Sequence, residues 1–290
     1  MKVSGFTFIR NAILLDYPVE ASIRSILPLC DEVVVAVGNS TDDTLALIQS
    51  IDPKVRVIET IWDDSLRANG AVLAVETDKA LAAISPDSDW AFYIQGDEVI
   101  HEQDHPAILK AMQQYVQDNE VDGLLFDYLH FYGSYDFVGV SNNWYKKEIR
   151  VIKPNRGIYS YRDAQGFRKT PDQKLKVALA HARVFHYGWV KDPGAMQRKQ
   201  EQFHRLWHDD DWVNKNVKVA EQFDYEDHIH QLARFQGTHP LCVQERIEKR
   251  NWVFETDITR HKKRLKNILK DWLKKIGIDT HYANYTIIRK

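Results

Sequence analysis

The chain has 290 residues, 44% of them apolar and 28% charged, with 39 Lys and Arg against 41 Asp and Glu. That length and composition exclude a chain disordered throughout and a small scaffold that depends on disulfides, and a formal charge of −2 supplies no global field for nucleic acid or an anionic membrane. The two cysteines, Cys30 and Cys242, cannot form a cysteine-based zinc site and are expected as buried thiols in a reducing compartment; with no secretory signal or long apolar span in the sequence, a cytoplasmic protein is expected.

Val3 to Ile9 is a short β-type run, and Asp16-Tyr17-Pro18 offers a cap and an early-turn proline before Val19, Ile23, Ile26 and Leu27 at helical spacing. Val33 to Val37 is a continuous apolar run of the kind a parallel strand shows when both faces are covered. Gly38-Asn39-Ser40-Thr41-Asp42 provides turn and cap chemistry ahead of a helix through Thr44, Leu45, Leu47, Ile48 and Ile51, which Pro53 ends. Val55 to Ile61 is a third strand, Asn69 to Ile84 a third helix, and Trp90 to Ile94 a fourth strand. Strands spaced by helices in this way predict βαβ units, right-handed crossovers and a mainly parallel sheet. Beyond Asp122, the aromatic-rich runs Gly123 to Tyr132, Glu148 to Ile152 and Ala182 to Val190 read as mixed or antiparallel additions. Pro193 to Trp207 is a helix and the polar remainder is mostly helical, which sets a soft boundary near residue 200, with a domain over 1–200 and an extension over 201–290.

Ligands of such sheets sit beyond the carboxyl ends of the strands. Arg10-Asn11, Gly38 to Asp43, Trp62 to Asn69 and Gln95 to Glu98 therefore converge on one crevice. The most informative string runs from Asp89-Trp90 through an apolar strand into Gln95-Gly96-Asp97-Glu98. Two carboxylates on a tight turn at the ligand end suit Mg²⁺ or Mn²⁺ against a diphosphate, and equally suit a solvated turn or the cap of a following helix.

Four strings in order, Phe8-Ile9-Arg10-Asn11, Cys30-Asp31-Glu32-Val33-Val34-Val35, Ser40-Thr41-Asp42-Asp43-Thr44 and Asp89-Trp90 through Asp97-Glu98, resemble the family 2 glycosyltransferases over roughly residues 3 to 200. The resemblance implies an α/β, GT-A-like fold with a mainly parallel sheet flanked by helices. It also implies transfer of a sugar, with inversion, from a nucleoside diphosphate to an acceptor hydroxyl. Donor-binding roles fall on Arg10, Asn11, Asp42, Arg67 and Gln95, with Arg67 placed just before a helix N-terminus, where a planar guanidinium suits phosphate oxygens. A divalent ion, Mn²⁺ or Mg²⁺, is expected on Asp97 with Glu98 and His186, the last also suited to the leaving diphosphate. Asp163, in Arg162-Asp163-Ala164-Gln165, is the expected base for the acceptor hydroxyl. Trp144, Tyr145 and Tyr161 offer flat faces for a sugar.

The chain also departs from the family pattern. Gln95 stands where the family has its first metal-binding acid, Val37 followed by Gly38 where it has an acid that contacts the base, and Ala12 where a Glu often follows the first Asn. The donor is accordingly left open among UDP-, GDP- and dTDP-linked sugars, and the acceptor among saccharide, lipid-linked and protein hydroxyls, with cell-envelope polysaccharide or glycolipid synthesis as a setting. Gln95 and Val37 equally suit a binding module of the same fold without turnover. Sugar-phosphate nucleotidyltransferases fit less well, because there is no glycine-rich, Lys- or Arg-bearing first loop.

Three other features bear on function. His101-Glu102-Gln103-Asp104-His105 matches a zinc-protease pattern, but Pro106 opposes the uninterrupted helix that motif requires. His204, His208 and Asp209, with Asp227, His228 and His230 further on, mimic a metal set but read as a solvated helix end and an acidic loop. Residues 260–276 combine eight Lys or Arg over Arg260 to Lys275 with Leu265, Ile268, Leu269, Trp272, Leu273 and Ile276 on one side, a basic amphipathic helix. It suits peripheral contact with anionic lipid at the inner face of a membrane, or packing on this chain or on a second copy in a homodimer. Nothing suggests nucleic-acid readout.

Overall fold

Period-two side-chain alternation organises the core. The computed structural model describes residues 1–66, 70–208, 210–216, 220–226, 231–258 and 283–289. In it β1 (Val3–Ile9), β2 (Glu32–Gly38), β3 (Val55–Thr60) and β4 (Trp90–Tyr93) lie in the order 3-2-1-4, every adjacent pair parallel. Val33, Val35 and Val37 enter one apolar cluster and Val34 and Ala36 another, so β2 separates two cores. The crossovers are α1 (Val19–Ile26), α2 (Thr44–Gln49) and α3 (Ala71–Ala82).

The next strands are β5 (Glu98–Ile100), β6 (Gly123–Tyr132), β7 (Ser134–Gly139), β8 (Lys147–Ile152), β9 (Ile158–Tyr161), β10 (Gly166–Lys169) and β11 (Gln173–Trp189). The main path continues β4-β8-β6-β11-β10-β9, with β8 antiparallel to β4 and β6, and β6 parallel to β11. This is the α/β architecture that the resemblance implied, with parallel strands joined through helices in its first half. Strand β11 begins at Gln173 rather than Ala182 because Leu175, Val177, Ala178 and Ala180 are buried there. Alternating Lys174 and Lys176 disguise that half in the sequence.

Between β5 and β6, α4 (His105–Tyr115) follows a short 3₁₀ turn and carries Pro106 in its first turn. His101 bonds Thr238 and His105 bonds the Ser25 carbonyl, so the two histidines of the protease-like string serve different neighbours. Helix α5 (Pro193–Arg205), started by Asp192 accepting from the Gly194 and Ala195 N–H groups, runs across residue 200. After it come α6 (Asp210–Asn216), β12 (Leu232–Arg234), α7 (Gln244–Glu248) and β13 (Tyr285–Arg289), with β12 on β7 and β13 on β11. Cys30 is buried and Cys242 half-buried, both free thiols. Among the described residues no helix is long and apolar enough to cross a membrane. Residues 260–276, Asp209, and Asp227, His228 and His230 lie outside the described residues. The rings of His204 and His208 stack on each other, and His208 stacks on Trp212 at 3.6 Å.

Candidate active site

The loops after β1, β2, β3 and β4, the β9–β10 turn and α5 border a cavity of about 820 Å³. Asn11, at φ 54°, accepts from the Thr41 N–H at 2.8 Å and donates its own N–H to Ser40 at 3.0 Å. It thereby ties the first loop to the second while lining the cavity. Asp42 is engaged within the loops, accepting from the Leu14 N–H at 2.7 Å and the Thr44 N–H at 3.1 Å, and does not line the cavity as a donor-binding residue would. Arg10 pairs with Asp64 at 2.9 Å and lies over Trp62, whose ring centroid is 5.9 Å from that of Phe8. A Cβ at Gly38 would stand 2.3 Å from Trp62 Nε1, so glycine is what lets the indole close on the end of β2. Arg67 lies outside the described residues.

The turn after β4 separates its two carboxylates. Glu98 has no exposed surface and accepts two bonds from Arg150 at 2.7 Å each, one from the Tyr128 hydroxyl at 2.7 Å and one from the Gln95 N–H at 3.1 Å. Arg150 in turn lies over the Tyr93 and Tyr128 rings and donates to the carbonyls of Ile149 and Gln165. Glu98, expected as a metal ligand, is instead a core anchor whose lone pairs are committed, because a carboxylate this buried must be paired. Gln95 lines the cavity and donates to the Ala164 carbonyl at 3.1 Å and the Tyr93 hydroxyl at 3.3 Å.

Asp97 lines the cavity. Lys199 Nζ on α5 donates to its Oδ2 at 3.2 Å, and His186 Nε2 stands 3.8 Å from Oδ1. Strand register supplies the histidine, since His186 faces Glu98 on β5 and His130 on β6. The two imidazole Nδ1 atoms are 3.3 Å apart, and His130 Nε2 meets the Tyr145 carbonyl at 2.8 Å. Burial lowers the proton affinity of both imidazoles. Burial opposes ionisation of Asp97, but Lys199, His186 and Lys191 outweigh it and hold the carboxyl below its ordinary range. Burial likewise opposes the Lys199 charge, yet Tyr17 and Asp97 keep its ammonium above the usual lysine range. A Cβ at Gly188 would come within 2.7 Å of Asp97 and 2.6 Å of His186, so a bare backbone is needed beside this pair.

Asp163 lines the same cavity, in the β9–β10 turn where Arg162 and Ala164 adopt positive φ. Burial raises its carboxyl above the ordinary aspartate range, which suits a proton acceptor. Tyr145 lines the cavity; Trp144 instead packs against Gly139 and His130, and Tyr161 lies beneath Arg162 and Arg168. Lys199, Tyr17 and Gln165 also line the cavity and were not singled out from the sequence. A lysine on a polar helix carries no signal of its partner, which here stands 102 positions earlier.

A divalent ion at this turn would find Asp97 as its carboxylate and His186 as its second protein ligand. Gln95 is neutral, Glu98 is committed to Arg150, and among the described residues no three His, Cys, Asp or Glu side chains converge. Asp97 already carries an ammonium at 3.2 Å. Unit charges about 4 Å apart at an effective dielectric near 20 interact by about 4 kcal/mol, so a dication beside that ammonium would meet roughly twice that repulsion. One carboxylate must offset both. The residues present do not fit a divalent ion.

No protein-family model and no curated protein matches the chain. Among solved structures it is similar to S. aureus TarS, at 14% identity and TM-score 0.41, covering 76% of this chain and 41% of that one. It is similar also to glucosyl-3-phosphoglycerate synthase from Mycobacterium tuberculosis, solved with Mn²⁺, UDP and glucosyl-3-phosphoglycerate, at 20% identity and TM-score 0.30, covering 46% and 45% of the two chains. A third is mannosyl-3-phosphoglycerate synthase from Rubrobacter xylanophilus, at 20% identity and TM-score 0.32, covering 47% and 42%. The chain spans less than half the length of each of these three.

Proposed function

We propose that the chain is a glycosyltransferase that moves a sugar from a nucleoside diphosphate to an acceptor hydroxyl with inversion. The observation that carries this reading is the convergence of Arg10, Asn11, Gln95, Asp97, Asp163 and His186, from separate loops and strands, on one cavity. Phe8, Arg10 and Trp62 form a wall for the nucleoside, Asn11 and Gln95 set the loops that hold it, and Asp97 and His186 mark the diphosphate end. In the transfer the acceptor oxygen attacks the anomeric carbon while its proton passes to Asp163. The bond from that carbon to the diphosphate oxygen breaks, and its electron pair leaves with the nucleoside diphosphate. The groups assigned to donor binding and chemistry lie in 1–200, α5 carries the cavity wall on to Leu206, and the rest of 201–290 is an extension. Within it, the basic stretch 260–276 offers contact with anionic lipid or with a second copy, in a cytoplasmic protein serving a saccharide, lipid-linked or protein acceptor.

Calorimetry and nucleotide-release assays with UDP-, GDP- and dTDP-sugars test the reading. Binding of one donor with slow release of its nucleoside diphosphate is expected, and Asp163→Asn should lower that rate by about 10²- to 10⁴-fold with donor affinity retained. Binding without turnover on any acceptor would identify a degenerate binding module, and silence on every donor would sink the reading.

A further inference from the structure

Given a glycosyltransferase, the charge that meets its leaving group can be assigned. We propose that the Lys199 ammonium, held in place by Asp97, stabilises the departing diphosphate where a divalent ion would otherwise act, so that donor binding and transfer are metal-independent; this rests on the glycosyltransferase reading.

The geometry around Lys199 is that of a built cation. Its side chain lines the cavity and is only 12% exposed. Two of its three N–H donors are spent on Asp97 Oδ2 at 3.2 Å and the Gly188 carbonyl at 2.9 Å, which leaves a third for a phosphate oxygen. The Tyr17 ring backs it, with its centroid 5.0 Å from Nζ. Lys191, fully buried, lies 4.4 Å from the same ring and donates to the Asp16 carbonyl. Burial and the neighbouring Lys199 lower the proton affinity of Lys191, so the charge at the cavity wall is that of Lys199, and Asp97 is the one carboxylate of the turn that faces it.

Gln95 points the same way. A divalent ion on a diphosphate is held by one or two carboxylates together with the phosphate oxygens, and the one acid of this turn that lines the cavity, Asp97, is already paired with an ammonium at 3.2 Å. The neutral side chain at position 95 is instead used as a strut, its amide bonded to the Ala164 carbonyl beside Asp163. An ammonium already fixed at the cavity wall meets the charge that develops on the leaving oxygen without reorganising at the moment of bond cleavage. Asp97 is then a positioning residue for Lys199.

The test is calorimetric binding of UDP, GDP and dTDP to the full chain in EDTA and in Mn²⁺ or Mg²⁺, repeated with Lys199→Met and Lys199→Arg. In the wild type, the nucleotide that binds should keep its Kd within about threefold on removal of the ion. Lys199→Met should weaken it by about tenfold or more, the scale of a lost charge-assisted hydrogen bond, and Lys199→Arg should restore most of the loss. Binding that appears only with the ion, or a Lys199→Met protein of unchanged affinity, overturns the inference and leaves the glycosyltransferase reading standing. Failure of every nucleotide in both buffers overturns both. The chelator arm uses the unaltered chain, so its outcome does not depend on how a variant folds.

Discussion

The two carboxylates of the turn after β4 are adjacent in the chain, yet Glu98 is enclosed by Arg150, Tyr128 and the Gln95 N–H, whereas Asp97 lines the cavity and meets Lys199 and His186. Both are ion-paired. The difference lies in what remains unsatisfied. Around Glu98 the acceptor sites are filled and Arg150 is clamped between two aromatic faces and two carbonyls, an arrangement that fixes the turn and admits no ligand. Around Asp97 the ammonium keeps a donor free and the imidazole keeps an edge on the cavity. Complete satisfaction marks a structural pair, and incomplete satisfaction beside a cavity marks a pair that awaits a ligand.

Breaking the inner pair should have the largest effect on stability. Arg150→Met leaves Glu98 buried without its counter-charge, and urea unfolding should show a loss of about 3–5 kcal/mol; a loss well under 1 kcal/mol would remove the contrast between the two carboxylates.

A third carboxylate sharpens it. Glu148 is buried, accepts from Gln165 at 2.8 Å through Oε1, and its Oε2 has no protein partner, so burial pushes its carboxyl up to about 7. The folded chain therefore binds this proton more tightly than the unfolded chain does. Its stabilising contribution is present below the ordinary glutamate value near 4.5 and is lost as pH rises through about 7. Glu148→Gln should match the wild type near pH 4 and exceed it at pH 8 by on the order of 2–3 kcal/mol, read from melts at the two pH values. An equal effect at both would mean the carboxyl is charged throughout.

Crowding the outer pair should cost somewhat less. Gly188→Ala puts a methyl against Asp97 and His186. It should destabilise the fold by about 2 kcal/mol and weaken nucleotide binding together with it, whereas unchanged calorimetry would show that the outer pair is not part of the binding site. The smallest effect belongs to Asp42, which bonds the Leu14 and Thr44 N–H groups in a half-buried loop. Asp42→Ala should lower stability by about 1 kcal/mol in the same unfolding assay.

Much of the first half of the fold was legible because its signals are local. The run Val33 to Val37 declares a strand covered on both faces, and Pro106 placed a helix start that the structure puts at His105. The candidate site was legible in part, since a strand that ends in Gln95-Gly96-Asp97-Glu98 faces the ligand end of the sheet whatever its neighbours are. The disguised half of β11 was not, because lysines alternate with its buried residues and lower the apparent hydrophobicity.

By itself, then, the sequence determined the alternation of strands and helices, the order of the loops at the carboxyl ends and the choice of Asp163, Asp97 and His186 as site candidates, because backbone periodicity and turn chemistry act over a few residues. Tertiary structure alone decided that Glu98 turns inward to Arg150, that Asp42 braces a loop, and that Lys199 reaches Asp97. Those outcomes depend on which distant side chains meet in a low-dielectric interior, where a charge must find its partner across 52 or 102 positions of chain.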